Sequence, residues 1–105
     1  MAVPVVELLY VDGCPNYIAV RETVVAVAAE IEVSPDLRLI EVETLEAVEE
    51  LRFLGSPTIR VEGKDVEPGA EERTEFQYAC RLYRTPLGFS GTPDPDWVRQ
   101  ALLSA

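Results

Sequence analysis

The feature that most constrains the fold is an apolar run at residues 4–11, PVVELLYV, which stops at the turn-forming residues 12–13. A valine-rich run of this length suits a central strand that is buried on both faces. Cys14 and Pro15 follow, and a proline is favourable in the first turn of a helix, which is expected to run to about Glu32. The sequence therefore predicts a strand, a turn that carries a cysteine, and a helix.

The middle of the chain predicts a second strand and helix and then a hairpin. Residues 37–42 alternate between apolar and polar side chains for most of their length, as a strand does. Thr44 is a suitable N-cap for a short helix that extends through about Phe53. Residues 58–61 and 65–67 flank a short turn that contains glycine, and this pattern predicts a β-hairpin. The order of elements up to this point is β-α-β-α-β-β.

The last third of the chain predicts two helices separated by a loop. Residues 70–83 have helical spacing, residues 84–93 are rich in glycine and proline, and a final helix begins at Pro95 with Asp94 as its N-cap. We expect one α/β domain over residues 1–105, with two or three layers and an extra helical or loop segment before the last helix. The inward face of the 70–83 helix would carry Phe76, Ala79, Cys80 and Tyr83.

Composition excludes several classes of function. The net charge is −10, from 19 acidic and 9 basic residues, which argues against nucleic acid or an anionic membrane as a partner. The chain has no histidine, so it lacks Ser-His and Cys-His nucleophiles and the usual zinc sites. Its apolar runs are too short to cross a membrane, and its first residues do not resemble a signal peptide. We therefore expect a cytoplasmic protein whose acids form a solvated surface, and a basic partner stays open.

Three motifs connect this pattern to a known fold. The chain contains GCPN at 13–16, FLGSPTIRVEGKDVEP at 53–68 and ACRLYRTPLGFSG at 79–91. With the order β-α-β-α-β-β-α, these motifs resemble the thioredoxin-like superfamily over nearly the whole chain. More narrowly, they resemble small bacterial thioredoxin-like proteins, some of which are labelled alkylmercury lyase-like and most of which have no established activity.

The resemblance also implies a substrate-binding surface. It implies a cis bond between Ser56 and Pro57, with the backbone of Ser56 opposite the cysteine turn and open to an extended substrate. The alternative is a trans proline that begins an edge strand. The remaining substrate-binding candidates belong to the turn itself: Pro15, Asn16 and Tyr17.

Cys14 is the first candidate for chemistry. At the start of a helix it faces unpaired N–H groups and the positive end of the helix dipole, which favour thiolate by about 0.3–1 kcal/mol. No histidine or lysine is near it in the sequence, so we expect a modestly activated thiol. The alternative is a buried, inert cysteine. Tyr17 stands where thioredoxin-like proteins usually have a second cysteine, and it either closes over Cys14 or begins the apolar side of the helix.

Cys80 is the second candidate. If Pro57 lies beside Cys14, the hairpin leads away and back, so the segment after residue 68 emerges at the same end of the sheet as Cys14. Cys80 would then be a resolving thiol, although a small apolar residue on a helix is an equal alternative. Arg81 and Arg84 either stabilise a thiolate or an anionic ligand, or are exposed beside acids. Trp97, in contrast, is expected to anchor the core.

These features predict a thiol–disulfide redox protein in which Cys14 attacks and Cys80 resolves the mixed disulfide. The expected partner is a protein or a small molecule that carries a thiol or a disulfide, and no cofactor is expected. Two alternatives stay open: a protein that binds a soft metal ion or a thiol-reactive ligand, and an interaction module without catalysis. The sequence leaves the oligomeric state open.

Overall fold

The computed structural model describes residues 3–105, which form a mixed four-stranded sheet with helices and a second small hairpin. The elements are β1 (Val5–Tyr10), α1 (Asn16–Glu30), β2 (Asp36–Glu41), α2 (Leu45–Glu50), β3 (Thr58–Val61), β4 (Lys64–Asp65), β5 (Tyr83–Thr85), β6 (Gly88–Ser90) and α3 (Pro95–Ser104). The predicted α/β order β-α-β-α-β-β-α is therefore confirmed, and the second hairpin is inserted before the last helix. No helix within residues 3–105 has the length and apolar character needed to cross a bilayer.

The sheet has the strand order β2-β1-β3-β4. β1 is parallel to β2 and antiparallel to β3, and β3 is antiparallel to β4. β4 ends earlier than the predicted 65–67, because the Glu67 N–H bonds to the side chain of Asp65 at 2.9 Å and turns the chain out of the ladder. β4 thus pairs only with Arg60 and Val61, and leaves the first half of β3 without a strand on that side.

β1 is buried on both faces, as the apolar run predicts. Val6 and Leu8 belong to a cluster with residues of α1 and α3. Leu9 and Val11 belong to a second cluster with Val48 of α2. Because successive side chains of a strand point to opposite faces, the two clusters lie on opposite sides of the sheet. The architecture therefore has three layers, with α1 and α3 on one face and α2 on the other.

α2 begins at its predicted cap but is shorter than expected. The Thr44 side chain accepts a hydrogen bond from the Ala47 N–H at 3.0 Å. The helix ends at Glu50 because Arg52 adopts a positive φ of 52° and the Phe53 N–H bonds back to the Val48 carbonyl at 2.9 Å. This arrangement satisfies a carbonyl at the helix end and redirects the chain toward β3.

α3 also follows its sequence signals. The Asp94 side chain accepts from the Asp96 N–H at 2.9 Å, and Pro95 occupies the first turn. Trp97 is half-buried and packs against the cluster between α1 and α3, in agreement with its predicted role in the core. A salt bridge from Arg99 to Glu30 at 2.8 Å joins α3 to α1.

The predicted helix at 70–83 is wrong. Only Ala70–Glu72 form a 3₁₀ turn, and the chain that follows is irregular or extended. From Gln77 onward its backbone bonds to residues 53–56: the Gln77 N–H donates to the Phe53 carbonyl, and the Ser56 N–H donates to the carbonyl of residue 79. The expected inward helical face of Phe76, Ala79, Cys80 and Tyr83 therefore does not form.

The predicted loop at 84–93 contains a hairpin instead. β5 and β6 pair Tyr83 with Ser90 and Thr85 with Gly88. The Thr85 hydroxyl donates to the Gly88 carbonyl at 2.7 Å and closes the turn, which Gly88 permits with a φ of 115°. Glycine and proline, which suggested an open loop, here form the tip of a two-stranded ribbon.

Candidate functional site

Cys14 lies in the turn between β1 and α1, and its side chain faces the core. Its N–H donates to the Val11 carbonyl at 3.2 Å, and Gly13 supplies the positive φ of 84° that the turn requires. No side chain caps the start of α1, so the first N–H groups of the helix are not used by a cap. Cys14 is only 5% exposed and packs with the apolar cluster that includes Leu9 and Phe53. The thiol therefore lies just before the predicted helix, and it is also buried, as the alternative of an inert cysteine expected.

The other three residues of the turn, Pro15, Asn16 and Tyr17, differ in their contacts. Tyr17 stacks on Tyr10 with ring centroids 4.3 Å apart, and it packs against both core clusters, including the one that contains Cys14. Tyr17 therefore begins the apolar side of α1, which is one of its two interpretations. Asn16 is half-buried, and its side-chain amide lies so close to Gly91 that a Cβ there would collide with it. Pro15 is exposed.

Ser56 connects the cysteine turn to the start of β3. The Ser56–Pro57 bond is cis, as the resemblance implies. Ser56 is fully buried, and its hydroxyl accepts a hydrogen bond from the Val11 N–H at 3.1 Å. The Pro57 carbonyl accepts a hydrogen bond from the Tyr83 hydroxyl. Burial raises the pKa of the Tyr83 hydroxyl, which keeps its proton on this bond.

Cys80 is brought to the same corner by the backbone. It forms a parallel bridge with Ser56, in which Ala79 accepts from the Ser56 N–H at 2.8 Å and the Arg81 N–H donates to the Ser56 carbonyl at 2.9 Å. Cys80 itself is exposed, and both cysteines are free thiols. A continuous path of contacts therefore runs from Cys80 through Ser56 and Val11 to Cys14.

The expectation that Arg81 is exposed is wrong, because its side chain is completely buried. The guanidinium donates to Asp65 at 2.7 Å and to Glu67 at 2.8 Å, and it also donates to the Thr58 hydroxyl at 3.0 Å. It lies 4.1 Å above the centre of the Tyr83 ring. Two carboxylates therefore neutralise this charge. We refer to Arg81, Asp65 and Glu67 as the buried ion cluster.

Arg84, in contrast, is exposed and its guanidinium lies 5.9 Å from the centre of the Phe89 ring. Its backbone N–H donates to Glu67 at 3.1 Å, and Arg73 adds an ion pair to the same carboxylate at 2.8 Å. Burial acts to raise the pKa of Glu67, but the hydrogen bonds from Arg81 and Arg84 outweigh it and hold the pKa below its usual range. Glu67 thus stays ionised inside the fold.

Sequence reasoning missed the buried ion cluster, although the sequence contains one signal for it. Asp65 and Glu67 are two positions apart, and side chains with this spacing lie on the same face of an extended chain. Two carboxylates on one side of a strand need a cation when they are buried. Arg81 and Tyr83 have the same spacing, which suits an extended segment better than a helix.

The surroundings of the thiols limit what they can bind. A cleft of about 740 Å³ between the β3–β4 hairpin and α3 is lined by residues that include Lys64, Pro68 and Trp97, and neither cysteine borders it. Across the described part of the chain, no group of three or more His, Cys, Asp or Glu residues is placed to hold a metal ion. Of the two thiols, only that of Cys80 is exposed to a ligand in solution.

Comparisons with known proteins found no match to this chain, whether among protein-family models, curated proteins or solved structures. The resemblance to thioredoxin-like proteins consequently depends on the motifs and on the order of the elements.

Proposed function

We propose that the protein carries out thiol–disulfide exchange with Cys14 and Cys80 as a pair of thiols. The observation that carries this proposal is the path of contacts through Ser56, which brings two cysteines that are distant in the sequence to one corner of the sheet. The start of α1 directly after Cys14 and Pro15 has no side-chain cap, which leaves the cysteine turn free of a competing polar side chain there. Exchange needs only a thiolate and access to it, so an adjacent second cysteine is not required.

Exposure favours an order of attack opposite to the one expected from the sequence. Cys80 is exposed, whereas Cys14 is only 5% exposed. The Cys80 thiolate attacks one sulfur of a disulfide RS–SR, forms a mixed disulfide and releases RS⁻. The Cys14 thiolate then attacks the Cys80 sulfur and releases the second RS⁻. The two thiol protons end on two RSH molecules, and two electrons pass from the protein to the substrate.

The second step requires the two cysteines to approach within bonding distance. A disulfide needs Cα atoms within about 7 Å of each other. Arg81 anchors the segment that carries Cys80, so the cysteine turn before α1, whose start no side chain caps, is the part expected to adjust. A dithiol reductant, by the same chemistry in reverse, returns both cysteines to thiols.

The test is a thiol count followed by peptide mapping. Fully reduced protein is treated with bis(2-hydroxyethyl) disulfide, free thiols are titrated before and after, and the products are digested and analysed by mass spectrometry. We expect loss of both thiols and a linked Cys14–Cys80 peptide, with complete recovery after treatment with a dithiol. Cys14→Ser and Cys80→Ser serve as matched controls that cannot form this link. The proposal fails if both thiols survive mild oxidation and neither reacts faster than a model thiol.

A second use of the same thiols is the capture of a soft metal ion. Two thiolates at one corner, with no third ligand grouped with them in residues 3–105, suit an ion that accepts two soft ligands in a line. Metal analysis after incubation with Cu(I) or Hg(II) tests this use. Binding of one ion that is lost in both cysteine variants would support it, and equal binding by the variants would exclude it.

A further inference from the structure

We propose that the thiol site takes small disulfides that lack a peptide backbone, because the protein's own residues 79–81 already occupy the edge where an extended polypeptide would pair. This inference rests on the proposed exchange function and specifies its substrate class. It concerns Ser56, whose backbone would otherwise be the natural docking point beside Cys14.

The open edge is created by the short β4. β4 covers Arg60 and Val61, and the Val66 N–H that follows it bonds to the Ile59 carbonyl at 3.1 Å, so residues 56–58 would expose backbone groups on that side of β3. Such an edge is the usual place for an extended peptide to add as another strand. In this protein the segment that follows residue 78, which is distant in the sequence, supplies hydrogen bonds to this edge.

Both backbone groups of Ser56 are used by this segment. The Ser56 N–H donates to the carbonyl of Ala79, and the Ser56 carbonyl accepts from the Arg81 N–H. The next carbonyl, that of Pro57, accepts from the Tyr83 hydroxyl. A peptide that paired with Ser56 would therefore have to displace residues 79–81 and their hydrogen bonds.

The segment is anchored too strongly to be displaced in this way. Arg81 is held in the buried ion cluster, and the chain at Gly55 approaches so closely that an added Cβ would lie 3.0 Å from the Arg81 Cβ. Two new backbone hydrogen bonds would favour a peptide by roughly tenfold to a hundredfold. Uncoupling a buried arginine from its carboxylates is opposed by roughly a thousandfold.

The thiol remains reachable although the backbone is occupied. Cys80 is in the middle of the paired segment, yet its residue is exposed. The segment therefore presents a thiol to solvent while it blocks the edge beside it. A disulfide without peptide groups can reach Cys80, and peptide groups next to a disulfide bring no additional binding.

The experiment measures how fast the reduced protein reacts with three disulfides that contain 2-mercaptoethanol. The first is its symmetric disulfide, bis(2-hydroxyethyl) disulfide. The other two are its mixed disulfides with the central cysteine of a short peptide and of the same peptide with N-methylated amides that cannot pair. For the natural protein, we expect the two peptides to react at rates within about twofold of each other. A preference of about tenfold or more for the unmethylated peptide would overturn the inference.

Gly55→Ala moves the segment away from Ser56 and should create a preference for the unmethylated peptide of about fivefold or more. Gly63→Ala is its matched control, because Gly63 also has a positive φ but faces open space, and it should show no preference. No preference in Gly55→Ala would also count against the inference, provided that this variant folds.

Hydrogen exchange of the natural protein keeps the inference testable if Gly55→Ala does not fold. The amides of Ser56 and Arg81 should be protected without any ligand, and exchange as fast as exposed amides would overturn the inference. If none of the three disulfides reacts with the protein faster than with a model thiol, the proposed function fails. Protection of the Ser56 and Arg81 amides still shows separately whether the edge is closed.

Discussion

The two cysteines lie near the same serine but are held in place by different forces. Cys14 is in an apolar cluster beside β1, where packing shields its thiol from water. Cys80 is on a segment held by two backbone hydrogen bonds to Ser56 and by the buried ion cluster next to it, and it is exposed. Apolar packing thus hides one thiol, while an ionic anchor presents the other. The difference suits a pair in which one thiol meets the substrate and the other completes the exchange.

Removing the ionic anchor should have the largest effect on this arrangement. Arg81→Met removes the guanidinium that pairs with Asp65 and leaves Glu67 with Arg73 alone, and breaking such a buried pair from one side costs about 3–5 kcal/mol. Denaturant unfolding measures this loss. Arg84→Met is the matched control, because its exposed guanidinium touches only an aromatic ring and should contribute less than about 1 kcal/mol. Equal losses in the two variants would show that the buried ion cluster does not anchor the segment.

Crowding the segment should have the next largest effect. Gly55→Ala combines a φ of 118° with contacts to Arg81 and Ala79, so we expect a loss of about 2–4 kcal/mol in the free energy of unfolding. Gly63→Ala has a φ of 82° but open space around it, and should lose about 1–2 kcal/mol. Thermal or denaturant unfolding of both variants makes the comparison. Indistinguishable losses would mean that residues 79–81 do not pack on Gly55.

Breaking the connection between the two regions should have a smaller effect. Ser56→Ala leaves the buried Val11 N–H without its acceptor, which costs about 1–2 kcal/mol. Ser34→Ala, at an exposed serine, controls for the loss of a hydroxyl. Ser56→Ala should also accelerate alkylation of Cys14 more than that of Cys80, as measured by isotope-coded labelling. Equal acceleration at both cysteines would contradict a role for Ser56 in closing the cysteine turn.

Lowering the pH should reduce the free energy of unfolding through Glu67, and this is the smallest of the four expected effects. The pKa of Glu67 in the folded protein is below its ordinary value near 4.5, so the unfolded chain binds the proton more readily. This contribution to stability is complete above the ordinary pKa and is lost as the pH falls through the lower, folded value. The difference in unfolding free energy between the natural protein and Glu67→Gln should therefore shrink below about pH 4.5. Glu71→Gln, at an exposed site, is the matched control for the loss of a carboxylate.

The same contrast explains which parts of the molecule were predictable from the sequence. β1, the start of α1, the cap at Thr44 and the cap at Asp94 are encoded by local patterns of apolar residues and capping side chains, and each forms where those patterns place it. The turn that holds Cys14 belongs to this class. The surroundings of this turn in the chain therefore follow from the sequence alone.

The region of Cys80 depends on contacts between distant residues and was predicted only in part. Topology alone indicated that the chain after residue 68 returns to the end of the sheet that carries Cys14, and Cys80 does pair with Ser56. The predicted helix is wrong because Phe76, Ala79 and Tyr83 have helical spacing in a segment that is not helical. The extended form depends on Arg81, whose guanidinium pairs with two carboxylates of another segment. No local pattern of residues contains that information.

The most direct test of the proposed pair is the identity of the cysteine that reacts first. Reduced protein is mixed rapidly with bis(2-hydroxyethyl) disulfide, quenched with acid at short times and mapped by mass spectrometry. We predict that the mixed disulfide forms first on Cys80 and then gives way to a Cys14–Cys80 disulfide, whereas in Cys14→Ser it accumulates on Cys80. A mixed disulfide that forms first on Cys14, or two thiols that stay free while a model thiol reacts, would contradict the account.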